Sequence, residues 1–140
     1  MAKKKIIAGI RERLLRSARK AMKNAYAPFS GFKVGAAILT AKGDVFLGCN
    51  VENSSYGMTN CAERTAIFSA VAAKGPRLEI VAVAVANAQG VPCSPCGACR
   101  QILWEFCGDA ELTLVNPRGK TETFRMKDIF PRPFDASFLD

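Results

Sequence analysis

Residues 78–86 read LEIVAVAVA, a nearly continuous apolar run broken by one glutamate. A run of this length and composition predicts a strand covered on both faces, so other elements must lie above and below it. The flanking sequence supplies them. Ile7, Ile10, Leu14, Ala18, Ala21 and Ala25 recur at steps of three and four with Arg and Lys between, which predicts an amphipathic helix over 6–25. Tyr26 to Gly31 is a breaker loop, and 32–40 is β-like. A turn at 41–44 and a second strand at 45–49 complete a hairpin. After a polar, turn-rich stretch at 50–60, residues 61–73 are helical, with Ala62, Ala66, Ile67, Ala70 and Val71 on one side until Gly75-Pro76.

Beyond the central run, Ser94-Pro95 predicts an N-cap followed by proline at the first helical position. That helix runs to about 106, with Ala98, Ile102, Leu103 and Phe106 inward. Strands at 111–115 and 121–125 flank a turn at Asn116–Gly119, and a short helix at 126–130 precedes an aromatic-containing tail. Helices alternating with buried strands predict a layered α/β domain, and the hairpin argues against a purely parallel sheet. The length, 140 residues, fits one domain spanning 1–140.

There is no histidine in the chain and there are six cysteines. The zero excludes Ser-His-Asp and Cys-His nucleophilic catalysis, H-E-x-x-H metalloproteases and every zinc site that needs imidazole. Proton transfer falls to carboxylates, Lys, Tyr or Cys, and any metal must be held by sulfur or oxygen. The opening Met-Ala-Lys-Lys-Lys carries no apolar h-region and nothing approaches the ~18 apolar residues of a membrane span. A reducing, cytoplasmic setting is therefore expected. There, clustered cysteines are more often metal ligands or catalytic groups than disulfides.

Two clusters carry the chemistry. Cys61-Ala-Glu63 and Pro95-Cys96-Gly-Ala-Cys99 each sit at a predicted helix start. Free N–H groups there stabilise thiolates, and the three-residue step puts Cys96 and Cys99 on one helix face. Three thiolates leave the fourth position of a tetrahedral zinc open, the pattern of catalytic rather than structural sites. Zinc lowers the pKa of its water from ~15.7 to near 7, and Glu63 is the carboxylate that can move the proton. Cys-x-Glu followed by Pro-Cys-x-x-Cys is the three-cysteine form of the zinc deaminase signature.

Other readings exist for the same residues. Asn60 as N-cap would put Glu63 at N3 of a capping box. Cys93-x-x-Cys96-x-x-Cys99 matches part of an iron–sulfur run, but Leu103 occupies the neighbourhood where a further Cys-Pro is needed. Cys93 as a fourth ligand would close a structural zinc site. Cys49 and Cys107 read as small buried hydrophobes.

From Tyr26-Ala-Pro-Phe-Ser-Gly-Phe-Lys-Val-Gly-Ala-Ala37 through Gly48-Cys-Asn-Val-Glu-Asn53, Asn60-Cys-Ala-Glu-Arg-Thr-Ala66 and Ser94-Pro-Cys-Gly-Ala-Cys-Arg-Gln101, the chain resembles the homotetrameric cytidine deaminases of pyrimidine salvage. The resemblance implies an α/β/α three-layer fold around a mixed five-stranded sheet. It implies one Zn2+ per subunit on Cys61, Cys96 and Cys99, and Glu63 as the proton shuttle for attack of zinc-bound hydroxide at C4 of cytidine or 2'-deoxycytidine. It assigns Asn50 and Glu52 to the ribose, Phe32 to the pyrimidine ring and Ala62 to substrate contact. Arg64 would moderate the charge on the sulfurs, with Gln101 and Arg100 nearby in support. Phe134 matches a C-terminal aromatic that the family inserts into a neighbouring subunit's site.

The formal charge is +8, and its source is local. Residues 1–23 hold nine Lys/Arg and one acid, whereas 24–140 hold eleven of each sign. The basicity belongs to the opening helix, most simply a solvated face, so nucleic acid is not an expected partner. Two other functions compete: deamination of a base within RNA or DNA or in a nucleoside-like antibiotic, and a non-catalytic zinc-stabilised module that binds nucleic acid. The Asn50–Glu52 block opposes the first, because a polynucleotide carries phosphate where the carboxylate stands. The second leaves Glu63 without a role.

Overall fold

The computed structural model describes residues 8–139. Its elements run α1 (Ala8–Met22), β1 (Val34–Thr40), β2 (Val45–Cys49), α2 (Ala62–Lys74), β3 (Ile80–Asn87), α3 (Gly97–Cys107), β4 (Glu111–Val115), β5 (Thr121–Arg125) and α4 (Met126–Ile129). Short 3-10 turns lie at Tyr56–Met58 and Ala136–Phe138. The start of the expected first helix, Ile7 included, lies outside the described residues, as do Lys3, Lys4 and Lys5.

The five strands form one mixed sheet in the order β2-β1-β3-β4-β5. Only β3 and β4 are parallel; the other neighbours are antiparallel. The central run is β3, buried along almost all of its length as expected. Its faces differ. Ala82, Ala84 and Ala86 pack with Ala37, Leu39 and the α1 residues Leu14, Leu15 and Ala18. Ile80, Val83 and Val85 join Ile38, Leu112 and Leu114 beneath Ala66, Ile67 and Ala70 of α2 and Leu103 of α3. The sheet is thus sandwiched between α1 and the α2–α3 pair, the three layers implied by the sequence.

Two glycines set how closely the layers approach. A Cβ on Gly35 would collide with the Ala18 carbonyl and Met22 nitrogen of α1. One on Gly48 would collide with the Ala62 carbonyl and Ala66 nitrogen of α2. Gly48 therefore lets the first turn of α2 rest directly on the edge strand.

Several local readings shift. Ser94 does not cap α3. Cys96 holds the N-cap position in extended conformation, and the Ser94 hydroxyl accepts from Arg100 Nη2 at 2.8 Å. Asn60 does not cap α2 either. Its backbone pairs with Val51, its amide donates to Thr65 Oγ1, and Cys61 becomes the N-cap. Glu63 is consequently the second helical residue and closes no capping box. Ala98 is exposed because the buried stripe of α3 is Cys99, Leu103 and Cys107. Cys107 is buried as expected, whereas Cys49 is only half-buried.

Candidate active site

Strand direction brings the chemistry together. β1 is antiparallel to both β2 and β3, so β2 and β3 run the same way. Their C-terminal ends lie at one edge of the sheet, where Gly35 pairs with Cys49 and Val34 with Asn87. The chain leaves these ends into the loops that open α2 and α3, and β1 enters there. The two helix starts and the 29–33 segment therefore share one end of the sheet.

Cys61 and Cys96 are the N-caps of α2 and α3, and neither makes a side-chain capping hydrogen bond. Cys99 follows one turn into α3. The three Sγ atoms lie within 4.8 Å of one another, with Cys61 and Cys96 3.9 Å apart. Zinc–sulfur bonds of about 2.3 Å in a tetrahedron separate the sulfurs by about 3.8 Å, so the donor set fits zinc in chemistry and spacing. Cys61 is half-buried, Cys96 exposed and Cys99 buried, so the cluster is reached from one side.

The thiols share charge unequally. A hydrogen bond from Cys99 lowers the Cys61 pKa most, burial opposes it, and Arg64 adds a further lowering, to about 5. Cys99 moves the opposite way, through the same bond and burial. Arg64 Nη2 donates to Cys61 Sγ at 3.2 Å, and its own pKa is raised by that bond. Three thiolates outweigh one divalent cation, so a guanidinium on a sulfur moderates the excess.

Glu63 is 5% exposed, and its Oε2 lies 3.4 Å from Cys99 Sγ. Burial first, then the Cys61 thiolate, raises its pKa. The carboxyl therefore holds a proton more readily than a surface glutamate does. Cys93 is half-buried and outside the three-sulfur group; burial foremost pushes its thiol up.

The neighbouring polar wall is built differently. Residue Val51 is bridged to Asn60 by paired backbone hydrogen bonds, which sets the 50–52 segment directly beside Cys61. Asn50 is buried; its Oδ1 accepts from Val34 N and its Nδ2 donates to Phe32 O, both at 2.8 Å. Glu52 accepts from Phe29 N at 2.9 Å, Ser30 N at 3.1 Å and the Ser30 hydroxyl at 2.5 Å. Those bonds, the hydroxyl's first, hold its carboxyl below the usual range. Glu52 also lines a shallow cavity of about 300 Å³ with Phe29, Ser30, Tyr56 and Thr59.

The remaining sequence-derived positions are more dispersed. Phe32 is half-buried and precedes β1. Ala62 is fully buried against the core. Gln101 donates to the Phe134 carbonyl at 2.8 Å rather than facing the sulfurs. The Phe134 ring is exposed and stacks on Phe138 with centroids 5.5 Å apart. Arg100 binds Pro95 O, Ser94 Oγ and Ile129 O, and so braces the chain just before Cys96.

Two positions have no counterpart in the sequence reading. Ser30 Oγ binds Glu52 and also accepts from Phe32 N at 3.0 Å, so one hydroxyl links the two. Buried Asn87 donates to Gln89 O and Val91 O and accepts from Cys93 N, folding the loop that leads to Cys96. A lone amide ending an apolar run was the available signal for Asn87.

Two helix starts converging three thiols on a buried carboxyl define a metal-dependent site of the deaminase type. Residues 9–114 match the family model described as the cytidine and deoxycytidylate deaminase zinc-binding region, and the chain belongs to that family. It is 47% identical over 129 residues to a cytidine deaminase of Sporosarcina psychrophila, covering 91% of this chain and 93% of that one. The crystal structure of cytidine deaminase from Burkholderia pseudomallei superposes with a TM-score of 0.84 at 48% identity, covering 88% of this chain and 98% of that one. The cytidine deaminase structure from Mycobacterium tuberculosis gives 0.77 at 37% identity, covering 93% and 99%. Among the described residues, no helix is long and apolar enough to cross a membrane.

Proposed function

We propose that this chain is a cytidine deaminase, converting cytidine and 2'-deoxycytidine with water to uridine or deoxyuridine and ammonia. The carrying observation is the group of three sulfurs within 4.8 Å, beside a buried carboxyl 3.4 Å from one of them. Cys61, Cys96 and Cys99 would hold Zn2+, which when bound supplies Lewis acidity that brings the pKa of water near 7.

The chain's own residues supply the rest. Glu63 takes a proton from the attacking water, delivers it to N3 of the pyrimidine, and then assists protonation of the exocyclic amine, which leaves as ammonia. Its burial supports this duty, since a carboxyl removed from water holds a proton more readily than a surface glutamate and can both take one up and give it back. Arg64 holds the Cys61 sulfur and moderates the charge of the ligand set. Phe32 flanks the ring, and the fully buried Ala62 backs the site from the core side. Asn50 and Glu52 bind the ribose hydroxyls through the hydrogen-bonding capacity left beyond their backbone contacts. Gln101 supports the site through the tail that carries Phe134.

In the same reading, residues 1–140 form one domain, four subunits assemble, and Phe134 reaches a neighbouring site. The enzyme works in the cytoplasm in pyrimidine salvage. The test is ultraviolet absorbance of cytidine with purified protein, before and after zinc chelation. Loss of cytidine absorbance that stops on chelation and returns with zinc is expected. Zinc-replete protein that leaves cytidine unchanged overturns the reading.

A further inference from the structure

The face of α1 turned away from the sheet carries a charge pattern that the deaminase reading does not use. Leu14, Leu15, Ala18 and Ala21 are buried beneath it. Its solvent side presents Arg13, Arg16 and Lys20, with Lys23 in the turn that follows, and all four are exposed. Steps of three, four and three residues align these cations in one stripe, spaced roughly 5 Å apart along the axis by the 1.5 Å rise. Among the described residues, none of the four has an acidic partner.

The nearby acids do not cancel the stripe. Arg11 holds Glu111 through two hydrogen bonds of 2.6 and 3.0 Å, which neutralises that carboxylate. Glu12, the one acid on α1, is exposed and stands four residues before Arg16 on the same face, so the four cations keep a net charge of +3 rather than +4. Half-buried Arg19 donates to the Asn116 carbonyl at 3.4 Å and so meets the β4–β5 turn, where Arg118 and Lys120 are both exposed. The basic surface therefore extends from the helix onto that turn.

Composition alone reads this face as merely solvated; on the alignment of its exposed cations we propose instead that it binds the phosphate backbone of nucleic acid, independently of base sequence and separately from deamination. A row of unpaired cations on a rigid helix is complementary to a row of phosphodiesters. The surface offers no large apolar side chain on α1 to enter a lipid layer, because those of this helix are committed to the core. It also lies across the sheet from α2 and α3, whose starts hold the cysteines. A strand bound here is not led to the candidate active site. Contacts of this kind give dissociation constants of about 10⁻⁴–10⁻⁶ M at physiological salt.

The test uses the zinc-loaded full chain and a fluorescently labelled 20-nucleotide single-stranded RNA, followed by anisotropy from 50 to 200 mM salt. Binding that weakens steeply with salt is expected. Arg13→Gln, Arg16→Gln, Lys20→Gln and Lys23→Gln combined should flatten the log–log salt slope by about 0.7 per lost phosphate contact. The charge-keeping pair Arg13→Lys and Arg16→Lys should retain binding, and cytidine turnover should stay unchanged in both. Absence of RNA binding at 50 mM salt, or equal binding by the four-fold variant, overturns the proposal. Binding to anionic vesicles without binding to RNA overturns it as well. None of these outcomes bears on cytidine turnover, so the two readings stand or fall separately.

Discussion

The sulfur side and the ribose side of the candidate site are held by different means. Cys61, Cys96 and Cys99 sit on the first turns of two long helices that rest on the sheet core, with Gly48 allowing direct backbone contact under α2. Phe32, Asn50 and Glu52 sit in connecting segments held by isolated backbone bridges such as Val51–Asn60 and by side chain-to-backbone hydrogen bonds. One side borrows its geometry from packed secondary structure. The other depends on a few polar contacts, several of them solvent-exposed. Substitutions on the sulfur side should therefore act through chemistry, and those on the ribose side through positioning.

The largest effects separate metal holding from proton transfer on the sulfur side. Cys96→Ala should lose both zinc and turnover, whereas Glu63→Gln should keep zinc while turnover falls by about 10²–10⁴-fold. Elemental analysis beside a cytidine assay checks both; full zinc in the first variant removes Cys96 from the ligands. Next comes Asn50→Ala, which strips partners from Val34 N and Phe32 O. A fully buried unpaired backbone group costs about 1–3 kcal/mol and these two are part-buried, so chemical denaturation should register a loss toward the lower end of that range. An unchanged denaturation midpoint would show that the 32–34 segment does not depend on this amide. The smallest effect is expected of Ser30→Ala, which frees Glu52 from one of its three bonds. KM should rise by about 2–10-fold with kcat nearly constant, and a fall in kcat alone would contradict a positioning role.

The same division explains what the sequence revealed. The core strand at 80–87, the hairpin and the helix over 62–74 follow from periodicity, because burial of apolar residues dictates them. The three sulfurs and Glu63 were readable because helix starts and short spacings fix their neighbourhood locally. The Ser94 cap fails, and the alternative Asn60 cap with it, because partners five to nine residues away claim the same groups before the helix N–H donors can. Arg100 claims Ser94, and Val51 and Thr65 claim Asn60. The backbone duties of Asn50 and the link through Ser30, by contrast, are long-range, since loop closure brings 29–34 against 50–52. No spacing rule reports such contacts.

The indole of Trp104 donates to Asp135 at 3.2 Å, on the same helix whose Gln101 holds the Phe134 carbonyl. It is the single tryptophan in 140 residues. The C-terminal segment is thus fastened to an intrinsic chromophore five residues along α3 from the sulfur of Cys99. Its undocking is visible as a change in native emission, with no label attached to the chain.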